Sequence, residues 1–125
     1  MLEIERRHKM ASLGMSGPYK LDKNAIDAKV SKTSPGNYAL GKKDAKGAFL
    51  VGYVGRADSD VNARLKSWVG KTKRPLFKFS YATSAKAAFE KECENYHDFD
   101  PEGNDVHPAR PDGTNWKCPR CKKFG

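Results

Sequence analysis

The chain has only three cysteines among its 125 residues, at positions 93, 118 and 121. An odd number of thiols without a signal-peptide pattern argues against a disulfide framework. Long apolar runs are also missing: no stretch approaches the roughly 18 residues that a membrane span requires. Residues 1–7 lack the apolar core of a signal peptide. We therefore expect a cytoplasmic protein that makes no contact with membranes and keeps its thiols reduced or bound to a metal.

Negative charge is scarce as well. The chain has 15 acidic residues against 24 lysines and arginines, which gives a formal net charge of +9. A field of this sign attracts polyanions, and nucleic acids are the commonest large ones. We expect DNA rather than RNA as the partner and no small-molecule cofactor; charge that serves solubility alone is the alternative. The residues expected to contact phosphate are Arg56, Lys66, Lys71, Lys73, Arg74 and Lys78.

The composition divides the chain into three parts. Residues 1–33 are polar, basic and weakly periodic, which predicts a loosely ordered arm. Residues 34–98 carry the regular patterns of one domain. Residues 99–125 are rich in proline, glycine, aspartate and asparagine, which predicts a loop-rich tail that stays open unless something fixes it to the domain.

Within residues 34–98 the patterns predict strand, strand, helix, strand, helix. The strands are expected over residues 37–40, 48–54 and 76–82. The first helix is expected to begin after one of residues 58–60, and the second after residue 83 or 84. A short polar loop over residues 41–47 joins the first two strands, so these must be antiparallel. The sequence thus predicts an α+β fold with a small, mainly antiparallel three-stranded sheet flanked by helices.

The last helix carries an acidic residue on its apolar stripe. Ala85, Ala88, Phe89, Glu92 and Tyr96 fall on one face at helical spacing, and Glu92 interrupts it. A carboxylate that faces the interior must be paired, protonated or bound to a metal. Glu92 is therefore a candidate functional residue, and a structural pair with an arginine is the alternative.

Three further residues are candidates for the same site. Arg64 lies at the edge of the apolar stripe of the first helix, where its guanidinium can bind phosphate through two nitrogens. Tyr38 and Tyr53 lie on neighbouring predicted strands. If these side chains meet Glu92, they can hold a water, a phosphate and a metal ion. The alternatives are an arginine stem that covers apolar surface and tyrosines that pack in the core.

The order of these pieces resembles the GIY-YIG nuclease family over residues 34–98. Asn37 stands where that family usually has isoleucine or valine, and Asn104 is the candidate for its asparagine after the glutamate helix. The resemblance rests on Gly36-Asn37-Tyr38, Tyr53-Val54-Gly55, Arg64-Leu65 and the helix that carries Glu92.

The resemblance implies a metal-dependent endonuclease that hydrolyses phosphodiester bonds. Glu92 would hold one Mg²⁺ or Mn²⁺, and Arg64 would stabilise charge on the phosphoryl group. Tyr38 would orient or deprotonate the attacking water, and Tyr53 would support it. The alternatives are a nucleic-acid-binding module that keeps the fold without turnover, and a protein-interaction domain with a zinc-stabilised tail.

The tail contains half of a possible zinc site. Cys118 and Cys121 form a CxxC pair, which supplies two ligands of a tetrahedral site. Cys93 and His97, four residues apart on the last helix, are expected to supply the other two. His107 is the alternative nitrogen ligand, and three unligated thiols are the alternative to a metal site.

Overall fold

The computed structural model describes residues 12–125, so the first eleven residues of the predicted arm lie outside the described part. Four strands form one antiparallel sheet in the order β1-β4-β2-β3. The prediction of a small α+β fold with an antiparallel sheet is therefore confirmed. The elements are β1 (Ser16–Lys20), α1 (Lys23–Lys29), β2 (Gly36–Lys43), β3 (Phe49–Ala57), α2 (Val61–Lys66), β4 (Leu76–Tyr81) and α3 (Ala85–Phe99).

The sheet has one strand more than the sequence predicted. The extra strand is β1, which lies in the segment that was assigned to a loosely ordered arm. The sequence pattern does not predict this strand because it contains Gly17 and Pro18, and both residue types are disfavoured inside strands. Proline is tolerated here because β1 is an edge strand that pairs only with β4. Residues 16–29 therefore belong to the sheet and to the helix that covers it.

Helices cover both faces of the sheet. On one face, Ile26 of α1 and Leu65 of α2 are fully buried with Tyr38, Leu40 and Phe77 from the strands. On the other face, α3 lies across β2 and β3. Within residues 12–125, no helix has the length and apolar character that crossing a membrane requires.

Asn37 fixes the position of α3 on the sheet. Its buried amide nitrogen donates a hydrogen bond of 2.9 Å to the carbonyl of Ala88. The helix begins after Ser84, whose hydroxyl accepts a hydrogen bond from the Ala87 amide at 3.0 Å. Glu92 follows Ala88 by about one helical turn, so the same contact determines where its carboxylate lies.

The tail lies along the free edge of β3. The Gly103 amide donates to the Gly52 carbonyl at 2.8 Å. The Asn104 side chain accepts from the Val54 amide and donates to the Val54 carbonyl, each at 2.9 Å. One side chain therefore takes the place of a neighbouring strand, which protects the edge from pairing with another chain.

Replacing Asn104 by alanine should lower the free energy of unfolding by about 1–3 kcal/mol, because both backbone groups of Val54 lose their partner. Chemical denaturation measures the change. Asn115→Ala is the matched control, since Asn115 is exposed and its side chain makes no hydrogen bond within residues 12–125. Equal stability of the two variants would show that the edge contact contributes nothing.

Candidate active site and metal centre

An open cavity of about 590 Å³ lies where β3 runs into α2 at the edge of the sheet. Its lining includes all four residues of the predicted catalytic set, one each from β2, β3, α2 and α3: Tyr38, Tyr53, Arg64 and Glu92. Because β3 is an edge strand, side chains from the helices on the two faces of the sheet can reach one cavity beside it. The fold thus brings together residues that are up to 54 positions apart in the sequence (92 − 38).

Tyr38 is fully buried and its ring crosses β3 at Gly55. Gly55 is its registered partner, and a Cβ atom at this position would overlap the ring and hydroxyl of the tyrosine. The Trp68 indole N–H donates a hydrogen bond of 2.8 Å to the Tyr38 hydroxyl. The phenol oxygen is therefore held in one place at the floor of the cavity.

Both phenols are kept neutral by their surroundings. Burial raises the pKa of Tyr38, although the hydrogen bond from Trp68 and the charge of Arg64 act in the opposite direction. Burial also raises the pKa of Tyr53, and the neighbouring Tyr38 adds to the effect. The two ring centroids are 6.3 Å apart. At neutral pH the site presents two hydroxyl groups and not a phenolate.

Glu92 is only 8% exposed. Its Oε1 atom accepts a hydrogen bond of 2.6 Å from Nη1 of Arg56. Burial raises the pKa of the Glu92 carboxyl, and the charge of Arg56 opposes that rise. Oε2 receives no hydrogen bond from any other described residue, so it is the oxygen that remains open to a cation.

Arg56 is the partner that the sequence did not identify for Glu92. Its Nε donates to Asp58 at 2.8 Å, and its Nη2 donates to the carbonyl of Ala109 at 2.9 Å. The sequence assigned Arg56 to phosphate binding, but its guanidinium makes all three contacts with protein groups. Strand alternation was the signal: Arg56 follows Gly55 and must face the layer of α3.

The other basic residues expected to bind nucleic acid differ in whether their charged groups already contact another side chain. Lys66 forms an ion pair with Asp27 at 2.6 Å, and Arg74 is 3.4 Å from a Glu102 oxygen. The Lys78 ammonium lies over the ring of Phe49, 5.1 Å from its centroid. Two exposed residues, Lys71 and Lys73, form no ion pair in the described part of the chain.

A second cluster joins the end of α3 to the tail. One ligand atom each from His97, His107, Cys118 and Cys121 lies within 4.8 Å of the others. Nε2 of His107 is 3.4 Å from the Cys121 sulfur, and Nδ1 lies 2.9 Å from the Pro108 carbonyl, which orients the ring. Metal bonds of ordinary length at tetrahedral angles place nitrogen and sulfur ligands about 3.5 Å apart. The cluster therefore has the donors and the dimensions of a metal site.

The geometry replaces one of the expected ligands. Cys93 is not in the cluster, and His107, the alternative in the prediction, takes its place. Cys93 is fully buried and packs in an apolar cluster with Phe89 and Trp116, beside the His/Cys cluster and not within it. Burial also raises the pKa of the Cys93 thiol, and Cys118 beside it adds to the rise.

Comparison of the chain with models of protein families, with curated proteins and with solved structures found no match.

Metal analysis tests the ligand set directly. We expect the purified protein to bind one transition-metal ion per chain in the tail, and Cys121→Ser to lose it because one of four ligands is gone. Elemental analysis after gel filtration measures the stoichiometry. Cys93→Ala is the matched control and should retain the ion; loss of metal in this variant would contradict the assignment of His107.

Proposed function

We propose that this chain is a metal-dependent endonuclease that hydrolyses phosphodiester bonds of nucleic acid, in the manner of the GIY-YIG nucleases that it resembles. The observation that carries the proposal is the single cavity lined by Tyr38, Tyr53, Arg64 and Glu92. Phosphodiester hydrolysis needs positive charge beside the phosphate, a ligand for a cation and a group that orients water. These four side chains are of the right types for all three tasks.

Glu92 is the residue that would hold a divalent cation, Mg²⁺ or Mn²⁺. Its Oε2 atom has no other partner among the described residues, and a single carboxylate suits Mg²⁺, which retains several waters. The cation, when bound, supplies positive charge to the scissile phosphate and to the leaving oxygen. Arg56 keeps the other carboxylate oxygen in place at 2.6 Å.

Arg64 and Tyr38 act on the phosphate and on the water. Arg64 lines the cavity from α2, and its permanent charge stabilises the additional negative charge of the transition state. The Tyr38 hydroxyl accepts a hydrogen bond from Trp68 and lies beside the Arg64 guanidinium, so its own proton is the group that can orient a water. Because burial raises its pKa, Tyr38 orients the water and does not remove its proton.

The substrate that fits the charge is a DNA backbone. Lys71 and Lys73 follow α2 in a basic loop, with ammonium groups that no described ion pair occupies. Contacts from such residues position a nucleic acid without reading its sequence.

For the tail we propose a structural zinc ion on His97, His107, Cys118 and Cys121. Two thiolates and two imidazoles are the ligand set of closed, tetrahedral zinc sites. A closed site leaves no open position for a substrate, so its role is to fix the tail on α3. Arg120 of the CxxC turn also binds Asp98 of α3, at 3.1 and 3.2 Å.

A nucleic-acid-binding module without turnover is the second candidate. The observation that favours it is the contact of 2.6 Å between Arg56 and Glu92, because a paired carboxylate attracts a cation less strongly. The two candidates differ in whether Glu92 is needed for bond cleavage or only for stability.

Cleavage of labelled DNA and RNA in Mg²⁺ or Mn²⁺ separates the two candidates. Glu92→Gln should reduce the cleavage rate by at least about 100-fold, because the amide is a poor ligand for the cation. Glu90→Gln is the matched control: it removes the same charge from the same helix, outside the cavity, and should cleave normally. Binding without metal-dependent cleavage by the unmodified protein would favour the binding module.

Lys71→Ala and Lys73→Ala should each weaken DNA binding and reduce the slope of log affinity against log salt by about 1, because each removes one phosphate contact. Titrations at several salt concentrations, in a Glu92→Gln background that prevents cleavage, measure the slope. Lys86→Ala changes an equally exposed lysine on α3 and serves as the control. If all three variants have the same slope, the basic loop is not the phosphate contact.

A further inference from the structure

The tail touches the cavity through one backbone atom. The carbonyl of Ala109 accepts a hydrogen bond of 2.9 Å from Nη2 of Arg56, and Ala109 itself lines the cavity. Ala109 comes two residues after His107, which is one of the four clustered metal-ligand candidates. A short and proline-flanked stretch of chain thus leads from the metal centre to the guanidinium that holds Glu92.

The tail also supports the guanidinium from a second side. Arg56 lies over the ring of Phe89, 5.3 Å from its centroid. That ring contacts Trp116 and Phe124 of the tail, each at a centroid distance of 5.9 Å. These two aromatic residues flank the CxxC pair in the sequence. Any change that releases the tail therefore removes a hydrogen bond from Arg56 and uncovers the ring beneath it.

We propose that Arg56 is a positioning residue through which the tail metal centre fixes the carboxylate of Glu92. The inference rests on the proposed function in one respect, namely that Glu92 binds a divalent cation. Arg56 itself touches neither the cation nor the substrate. It holds Oε1 of Glu92 so that Oε2 faces the cavity, and the Ala109 carbonyl keeps Arg56 in that orientation.

Metal binding in the tail should therefore change the affinity of Glu92 for a divalent cation. Without a metal the tail loses its ligand bonds to the end of α3, and we expect the Ala109 carbonyl to leave Arg56, which then keeps Asp58 and Glu92 as hydrogen-bond partners. Partners outside the ligand shell typically change metal affinity by 10–100-fold. We expect the affinity of Glu92 for Mn²⁺ to fall about 10-fold when the tail is empty, and by linkage the two metal affinities are coupled in both directions.

A double-mutant cycle on Mn²⁺ binding tests the coupling. Mn²⁺ affinity is measured by the electron paramagnetic resonance of the free ion for the zinc-loaded wild type, Cys121→Ser, Arg56→Lys and the double variant. We expect Cys121→Ser to weaken binding about 10-fold when Arg56 is present and to have no further effect when it is lysine. An equal effect of Cys121→Ser in both backgrounds overturns the proposal.

Arg120→Lys is the matched control. Arg120 also joins the tail to α3, but through Asp98 and away from Glu92. The effect of Cys121→Ser should persist in this background, because the path through Arg56 is intact. Disappearance of the effect there would show that any loosening of the tail suffices, which contradicts a specific role for Arg56.

A second readout separates the inference from the proposed function. The side-chain Nε–H signal of Arg56 in a ¹⁵N NMR spectrum should be protected in the zinc-loaded protein and should shift and exchange faster in Cys121→Ser and in the zinc-free wild type. Signals from β2 and β4 report whether each form keeps its fold. If wild type binds no Mn²⁺, the cation site of the proposed function fails, while an unchanged Arg56 signal overturns the inference itself.

Discussion

The hydrogen-bonded ion pair between Arg56 and Glu92 is the contact on which the rest of the candidate site depends. A carboxylate that is only 8% exposed loses most of its hydration, and without a partner this costs several kcal/mol. Arg56 offsets that cost, and its other two nitrogen contacts join the turn before α2 and the tail to the same point. Four parts of the fold thus meet at one guanidinium, which fixes where the cavity lies relative to Tyr38 and Arg64.

The tail has little regular structure, yet it completes the domain in two ways. Asn104 occupies the backbone groups at the edge of β3, and the His/Cys cluster joins the tail to the end of α3. A small domain with a modest core benefits from such additional contacts, because it has little other apolar area to bury. Ala109 of the same segment lines the cavity. The contacts that hold the tail on the domain therefore affect both the stability of the fold and the geometry of the cavity.

The sequence predicted the parts of the fold that follow from local pattern. The interruption of an apolar stripe predicted that Glu92 faces inward, and the strand pattern predicted that Tyr38 and Tyr53 lie on neighbouring strands, as they do on β2 and β3. Strand β1 was not predicted because it contains a glycine and a proline, which are uncommon inside strands. His107 reaches the His/Cys cluster because the tail returns to α3, which no periodicity encodes. For Arg56, strand alternation indicated the layer that it faces but not its partner Glu92. Local pattern therefore predicts which side chains face inward, and only the tertiary structure decides what they meet.

The position of a bound cation would show whether this cavity is a phosphodiesterase site. A crystal grown with Mn²⁺ and a short DNA fragment, examined by anomalous scattering, would show where the ion binds. We expect an ion about 2.0–2.2 Å from Oε2 of Glu92, beside a phosphate held by Arg64, with Tyr38 near a bound water. Manganese found only elsewhere on the protein, with DNA bound outside the cavity, would contradict the assignment of this cavity as a phosphodiesterase site.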